Sequence, residues 1–259
     1  MSAHQSPHDG TEHTFTDTLF TCKNDNGCGG AIDPTNGGTL IIKRCIFDSC
    51  SCSERGGAVS YRGEGTCSQE DNLYAHCMAT DASGAFNSFE TLTHALHHQK
   101  RCMYLNSEAK HYGHFCIEYS QHTLVDSNIY IHVVSLGDLP WARGTVVNHH
   151  AQGPIVYSDC LFSDGKAVYS GGLTFLGEYT TNTASFSVKF CFFLNNFGTD
   201  GTAREIYFDG NTTHNANKDR IIHSFSATPG SSVFVENEST QDKDWLFQGY
   251  TVVEHAYRY

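Results

Sequence analysis

The chain has 259 residues and a formal net charge of −12, which results from 16 basic and 28 acidic residues. This acidic balance argues against nucleic acid or an anionic membrane surface as the partner. No apolar run reaches the roughly 18 residues that a membrane-spanning helix needs. The polar start, MSAHQSPHDGTEH, lacks the apolar core of a secretory signal.

Three regions are predicted in chain order. Residues 1–14 form a disordered lead, residues 15–230 form one repetitive domain, and residues 231–259 form a final coil or cap. Within the repeat, the segment 88–100 fits either a short helix or a strand. The segment 136–143 contains Pro140 and is predicted to be a protruding loop.

Residues 40–59 are one copy of a repeat whose period averages about 29 residues. With Cys45 as position zero, the equivalent positions are predicted at Thr18, Cys45, Cys77, Cys102, Asn128, Cys160, Cys191 and Ser224. Two residues later follows a mostly aromatic column of Phe20, Phe47, Ala79, Tyr104, Tyr130, Phe162, Phe193 and Ser226. Three residues before zero lies a third column of Phe15, Ile42, Tyr74, Gln99, Val125, Tyr157, Val188 and Ile221.

These columns predict an all-β solenoid. Positions zero and plus two have the same parity, so in a strand they face the same side. The column at minus three has the opposite parity and can share that side only if the chain bends between, at pairs such as Lys43-Arg44. One coil cannot bury its inner face alone, but stacked coils can. We therefore predict a parallel β-helix of about eight coils, with an aromatic stack and a cysteine stack inside.

Glycine pairs mark a second corner in several coils. They occur as Gly29-Gly30-Ala31-Ile32, Gly56-Gly57-Ala58-Val59 and, in a drifted form, Gly171-Gly172-Leu173-Thr174. Each pair is predicted to supply a coil corner, because glycine adopts positive φ without strain.

The repeat resembles that of the chlamydial polymorphic membrane proteins, which pairs GGA(I/L/V) with FxxN. Two clean GGA copies and Phe193-Leu194-Asn195-Asn196 carry the resemblance, with a weaker echo at Phe47-Asp48-Ser49-Cys50. Similar proteins are numerous in some parasitic protists. The resemblance implies a right-handed parallel β-helix of the pectin-lyase-like class, an adhesive role, and display at the cell surface or secretion. It transfers no catalytic residue, because the motif is structural.

Cysteine and histidine are both abundant. Cys45, Cys77, Cys102, Cys160 and Cys191 are predicted to be small buried thiols of the core. In an oxidising compartment, disulfides remain open for Cys22, Cys28, Cys50 and Cys52. His94 and His98 would share a helix face suited to a metal, and His149-His150 is a similar pair. No third ligand is evident, so we expect solvated or packing histidines, no metal and no cofactor.

Acidic and amide residues follow the aromatic column at Asp48, Asp81, Asn106, Asp164 and Asn195. If stacked, Asp48 and Asp81 would lie about 5 Å apart, the separation of the carboxyl groups in retaining glycosidases. As turn residues they would instead bond local backbone N–H groups, and their recurrence along the chain favours this interpretation.

The sequence favours a non-enzymatic surface, adhesion-type or structural scaffold that binds a host or self protein, or a glycan, through its loops. The alternative is a carbohydrate-active enzyme, a polysaccharide lyase or glycoside hydrolase with Asp48 and Asp81 in a lateral groove. A third possibility is a degenerate fragment without activity of its own.

Overall fold

A computed structural model describes residues 12–24, 27–34, 38–62, 65–89, 96–111, 115–118, 122–137, 144–149, 153–168, 170–176, 185–198, 204–208, 220–222, 224–226 and 232–235. These residues form strands and no helix. In chain order the strands are β1 (Glu12–Thr16), β2 (Leu19–Phe20), β3 (Lys23–Asn24), β4 (Gly38–Lys43), β5 (Ile46–Asp48), β6 (Ser51–Cys52), β7 (Val59–Arg62), β8 (Gly65–Glu70), β9 (Leu73–Ala75), β10 (Met78–Ala82), β11 (Phe86–Phe89), β12 (Leu96–Lys100), β13 (Met103–Leu105), β14 (Glu108–His111), β15 (Phe115–Glu118), β16 (His122–Asp126), β17 (Ile129–Ile131), β18 (Val134–Ser135), β19 (Gly144–His149), β20 (Pro154–Ser158), β21 (Leu161–Ser163), β22 (Lys166–Ala167), β23 (Ser170–Leu176), β24 (Ser185–Lys189), β25 (Phe192–Leu194), β26 (Phe197–Gly198), β27 (Arg204–Phe208), β28 (Arg220–Ile222), β29 (Phe225–Ser226) and β30 (Ser232–Val235).

The strands stack into four parallel sheets, here numbered by their order around one coil. Sheet 1 is β1-β4-β8-β12-β16-β20-β24-β28 and sheet 2 is β2-β5-β9-β13-β17-β21-β25-β29. Sheet 3 is β3-β6-β10-β14-β18-β22-β26 and sheet 4 is β7-β11-β15-β19-β23-β27-β30. Coils are numbered here by their sheet 1 strand, so coil 1 begins at β1 and coil 2 at β4.

The predicted parallel β-solenoid is confirmed. Within the described residues, the coils from β4 to β27 contribute a strand to every sheet, whereas the first and last coils each lack one. The number of complete coils is therefore smaller than the predicted eight.

The corners between sheets depend on residues in the left-handed conformation. Between sheets 1 and 2 these are Asp17, Arg44, Asp71, Arg101, Ser127, Asp159 and Phe190, with φ between 51° and 57°. Between sheets 2 and 3 they are Ser49, His76, Asn106, His132, Asp164 and Asn195. Most are Asp, Asn, Ser or His, the types that tolerate this conformation best after glycine. The three-residue strands of sheet 2 therefore lie between two such corners.

An aromatic stack fills the interior behind sheet 2. It consists of Phe20, Phe47, Tyr74, Tyr104, Tyr130, Phe162 and Phe193, all at most 2% exposed. Adjacent ring centroids lie 4.6–5.0 Å apart and the ring planes differ by at most 10°. This spacing equals that of neighbouring strands, so in-register pairing itself produces the stack.

The predicted alignment of coil 3 is wrong. Phe47 pairs with Tyr74, not with Ala79, and the residue aligned with Cys45 is Asn72. Tyr74 therefore belongs to the aromatic stack rather than to the column at minus three. Cys77 is fully buried but lies one corner later, in a column with Cys50 and Ser107. Cys77, five residues after Asn72, matches the thiols of the neighbouring coils by residue type, which accounts for the wrong alignment.

Buried polar side chains at the inner corners bond the backbone of the preceding coil. The Cys45 N–H donates to Asn72 Oδ1 at 2.9 Å, and the Cys102 N–H donates to Asn128 Oδ1 at 2.8 Å. At the next corner the Gly165 N–H donates to Asn196 Oδ1 at 2.9 Å. These amides satisfy N–H groups that bend away from the sheet ladders.

The first two glycine pairs stack on one another. Gly29 and Gly56 have φ of +60° and +67°, and Ser83 holds the same conformation in coil 3. A Cβ on Gly57 would lie 2.1 Å from the Gly84 carbonyl oxygen, so this position has no room for a side chain. Gly30 is equally confined, 2.1 Å from the Gly57 oxygen. These two pairs therefore form close-packed corners.

Gly171 and Gly172 do not form a corner. Both lie inside strand β23 and are buried there. A Cβ on either would meet backbone atoms of Gly165, Phe197 or Glu205. Glycine is needed at both positions because neighbouring backbones approach closely, not because φ is positive.

Several other predictions fall partly or wholly outside the described residues. The segment 88–100 contributes strands β11 and β12, with residues 90–95 not described. In the predicted loop 136–143 only residues 136–137 are described, and in the predicted terminal cap only β30. Strand β1 begins at Glu12, three residues before the predicted start of the repeat. The described segments include no helix with the length and hydropathy to cross a bilayer.

Candidate functional site

The outer surface of sheet 2 carries a continuous column of large apolar side chains. The residue before each stacked aromatic points outward, and these residues are Leu19, Ile46, Leu73, Met103, Ile129, Leu161 and Phe192. Ile46 is 42% exposed and the later members are partly exposed. Contiguous exposed apolar surface on a soluble protein marks an interaction site.

A second outer column widens this surface. Leu105, Ile131 and Leu194 follow the stacked aromatics and are partly exposed, while Asp48 and Ser163 occupy the same column in other coils. We call the two columns together the outer apolar face. Strand alternation explains it, because a strand with apolar residues at all three positions must present two of them to the outside.

The outer apolar face is regular. Each strand pair of sheet 2 is in register without a shift, whereas sheets 3 and 4 contain irregular pairs. Seven members at about 4.8 Å per coil extend over roughly 29 Å. The surface is therefore a straight array of side chains at a fixed spacing.

One border of this face is a corner whose charges alternate over the first five coils. Coil 1 presents Asp17, coil 2 Lys43 and Arg44, coil 3 Glu70 and Asp71, coil 4 Lys100 and Arg101, and coil 5 Asp126. Coil 6 is again acidic, with Asp159. We call it the charged corner. Its members form ion pairs between successive coils, so each basic coil is held between acidic neighbours.

The strongest of these ion pairs are bidentate. Arg44 donates to both carboxylate oxygens of Asp17 at 2.7 Å. Arg101 donates to both oxygens of Asp71 at 2.6 and 2.8 Å, and to Glu70 at 2.8 Å. The hydrogen bonds from Arg101 lower the pKa of Asp71 and of Glu70. Lys43 also contacts Glu70, at 3.3 Å.

The opposite border is polar and has two carboxylates, Asp48 and Asp164, among histidine and amide side chains. His76 Nδ1 lies 3.2 Å from Asp48 Oδ1, and Asn106 Nδ2 lies 3.5 Å from His76 Nε2. Farther along, Asn195 donates to Asp164 Oδ1 at 3.2 Å. Asp48, Asn106, Asp164 and Asn195 thus link coils along the surface.

The structure does not stack Asp48 on Asp81. Asp48 lies in β5 of sheet 2 and pairs with Ala75, whereas Asp81 lies in β10 of sheet 3. Asp81 contacts Arg55 at 3.7 Å and His111 Nδ1 at 2.9 Å. The predicted pair at about 5 Å depended on the wrong alignment of coil 3, which shifted Asp81 into the column after the aromatics.

Ten cysteines of the described residues are buried thiols that form no disulfide. The disulfides left open for Cys22, Cys28, Cys50 and Cys52 are therefore not formed, and Cys28 donates to Glu54 Oε2 at 3.2 Å. Burial raises the pKa of Cys102 and of Cys52 to about 12. Thiols with such pKa values are poor nucleophiles at neutral pH.

The candidate metal histidines do not share a helix. His97 and His98 lie in strand β12, and residues 94 and 150 lie outside the described part. His97 is buried edge-on against Tyr61 and Phe86, whereas His98 faces the His122 ring at 5.9 Å. Among the described residues, no group of three or more His, Cys, Asp or Glu side chains could hold a metal ion.

The outer apolar face was missed at the level of sequence, although its signal was present. An apolar residue precedes each aromatic of the stack, from Leu19-Phe20 to Phe192-Phe193. The columns predicted from the sequence contain only the inward positions of these strands. No protein-family model matches the chain, and neither does any curated protein or solved structure.

Proposed function

We propose that this protein is a non-enzymatic scaffold of the surface or adhesion type, which binds a protein or glycan through its outer apolar face and its loops. The observation that carries this proposal is the outer apolar face itself, in which Ile46, Met103 and Ile129 stand on a straight, rigid frame. Burial of such a surface is the usual driving force for association.

The relationship to the polymorphic membrane protein repeats is part of the proposal. In support of it, the GGA motifs occupy stacked corners that demand glycine, at Gly29-Gly30 and Gly56-Gly57. Asn196, the last residue of the FxxN copy, is buried and bonds the backbone of the coil before it. Placement at the cell surface or secretion follows from that relationship.

The acidic side chains support a scaffold more than a hydrolase. Asp17 and Asp71 are held by bidentate arginines, Asp33 by Arg62 at 2.9 Å, and Asp81 by His111. A glycosidase needs two carboxyl groups facing one bond at about 5–9 Å.

A glycan array and fixed epithelial cells would test this function, with a polysaccharide panel assayed for released ends. We expect labelled protein to bind one of the first two probes without turnover on the third. Met103→Glu should abolish binding, while Ile41→Glu, on the outer side of sheet 1, should leave it unchanged. Turnover abolished by Asp48→Asn or Asp81→Asn would overturn the proposal.

A further inference from the structure

The outer apolar face is suited to a binding partner that covers it, and the geometry of the face restricts which partner fits. We propose that it is covered by a second copy of this chain, packed face to face and antiparallel, with the two-fold axis between coils 3 and 4. This inference deepens the proposed function, since it takes the same face as the binding surface and names a self protein as its partner, so that glycan or cell contacts are made by the loops of the paired scaffold.

The repeat of the face is the first argument. An occupant that contacts every coil must match a spacing of about 4.8 Å over six steps. A second copy has this spacing by construction, so its Ile46, Leu73 and Met103 side chains can interdigitate with the facing ladder over the six coils that overlap. Sheet faces pack on each other in this way about 10 Å apart.

The area is the second argument. The strands of sheet 2 with one corner residue on each side are five residues wide, or about 17 Å. With the axis between coils 3 and 4, six coils of each copy overlap and give a contact of about 500 Å² per copy, and about 1,000 Å² in total, which is at the threshold for a specific interface. The corners must therefore take part in the contact.

The charged corner selects the orientation. A two-fold axis parallel to the strands sets the charged corner of one copy against the same corner of the other. With the axis between coils 3 and 4, Glu70 and Asp71 face Lys100 and Arg101 of the second copy. Coil 2, with Lys43 and Arg44, then faces Asp126 of the second copy in the same way. Only the outermost pair, Asp17 and Asp159, brings like charges together, and it lies at the rim of the contact.

Shifting the two copies by one coil reverses this match. With the axis on coil 4, the basic residues Lys100 and Arg101 would face their own copies, and Asp71 would face Asp126. Like charges in contact oppose association, so complementarity fixes the alignment of the copies. The polar corner at His76 and Asn106 carries no comparable alternation.

The first experiment measures the mass of the full chain in solution. Sedimentation of the wild type should give twice 28.6 kDa, or 57.2 kDa, at micromolar concentration. Met103→Glu should sediment as a monomer with an unchanged circular dichroism spectrum, because it places a carboxylate at the centre of the contact. Ile41→Glu serves as the matched control and should remain dimeric.

The second experiment tests the orientation by disulfide formation under mild oxidation. Ile46 in coil 2 faces Ile129 of the second copy in coil 5, whereas within one chain the two are three coils apart. The double variant Ile46→Cys/Ile129→Cys should form a covalent dimer. Either single variant and the wild type, whose ten described thiols are buried, should not.

The outcomes separate this inference from the proposed function. A monomeric wild type, or a Met103→Glu variant that stays dimeric, overturns the homodimer. Crosslinking by Ile129→Cys alone indicates a different alignment and also overturns it. If the wild type is monomeric and still loses glycan or cell binding through Met103→Glu, the homodimer fails while the scaffold function stands.

Discussion

The two faces of sheet 2 are built from the same short strands, yet the inner face is buried in the core and the outer face lies at the surface. Tyr104 is fully buried in a continuous stack, whereas Met103 beside it points outward and remains partly exposed. Both columns are apolar, yet folding buries only the inner one. The comparison teaches that hydrophobicity in this repeat exceeds what the core needs, and that the excess is concentrated on one outer surface.

Truncating one residue from each face should give the largest difference in the free energy of unfolding between two variants. Tyr104→Ala removes a ring that lies 4.8 and 4.9 Å from its stacked neighbours and a hydroxyl that donates to Gln99. We expect a loss of about 3–5 kcal/mol in the free energy of unfolding. Met103→Ala should cost less than about 1 kcal/mol. Urea unfolding followed by circular dichroism measures both, and equal losses would refute the distinction between the faces.

A smaller contrast is expected between buried and exposed asparagines at the corners. Asn128 accepts from the Cys102 N–H and donates to Gln99 Oε1 at 3.0 Å inside the solenoid. Asn128→Ala leaves that N–H without its acceptor, which should cost about 1–3 kcal/mol in the same unfolding measurement. Asn195→Gly removes the exposed side chain at a corner and keeps a residue that tolerates the φ of 53°, so it should change stability by no more than about 0.5 kcal/mol. The reverse order would contradict the assignment of the inner amides.

The smallest effect should come from the charged corner. Arg101 lowers the native pKa of Asp71 and Glu70, so its stabilisation is present above their unfolded pKa values, near 4, and is lost as the pH falls through the lower native values. Thermal melting from pH 7 to pH 2 should show Arg101→Gln slightly below the wild type at neutral pH. The gap should close in acid.

Lys166→Gln is the matched control for this prediction, since it removes the same formal charge from an exposed position in sheet 3. Its melting temperature should follow that of the wild type across the whole range. A gap for Arg101→Gln that widens in acid would show that the ion pairs do not act as described.

Much of the fold followed from the sequence because stacking repeats the same side-chain types at the same places. The aromatic column at Phe47, Tyr104, Phe162 and Phe193 and the corner at Lys43-Arg44 could be located without coordinates. Coil 3 could not be aligned by residue type alone. Its Asn72 holds the same place as a cysteine, and the spacings around it, 27 and 30 residues, differ because the connections between sheets vary in length.

The surface was harder to predict than the interior. Interior positions are restricted by packing, so few residue types fit and a column is visible in the sequence. Asp48 and Asp81 lack this restriction, and a misplacement of five residues in one coil was enough to suggest a pair that does not exist. Met103 and Ile129 were present in the alignment, but an outward position carries no sequence signal for what will cover it.

The alternation of the charged corner has a consequence for how such a chain can lengthen during evolution. Losing coil 3 alone would bring Arg44 beside Arg101, whereas losing coils 3 and 4 together would bring Arg44 beside the acidic coil that contains Asp126. Opposite charges at this corner therefore stay on adjacent coils when coils are duplicated or deleted in steps of two. A unit of duplication or deletion that preserves these charge pairs would then be two coils long, which is twice the length of the structural repeat.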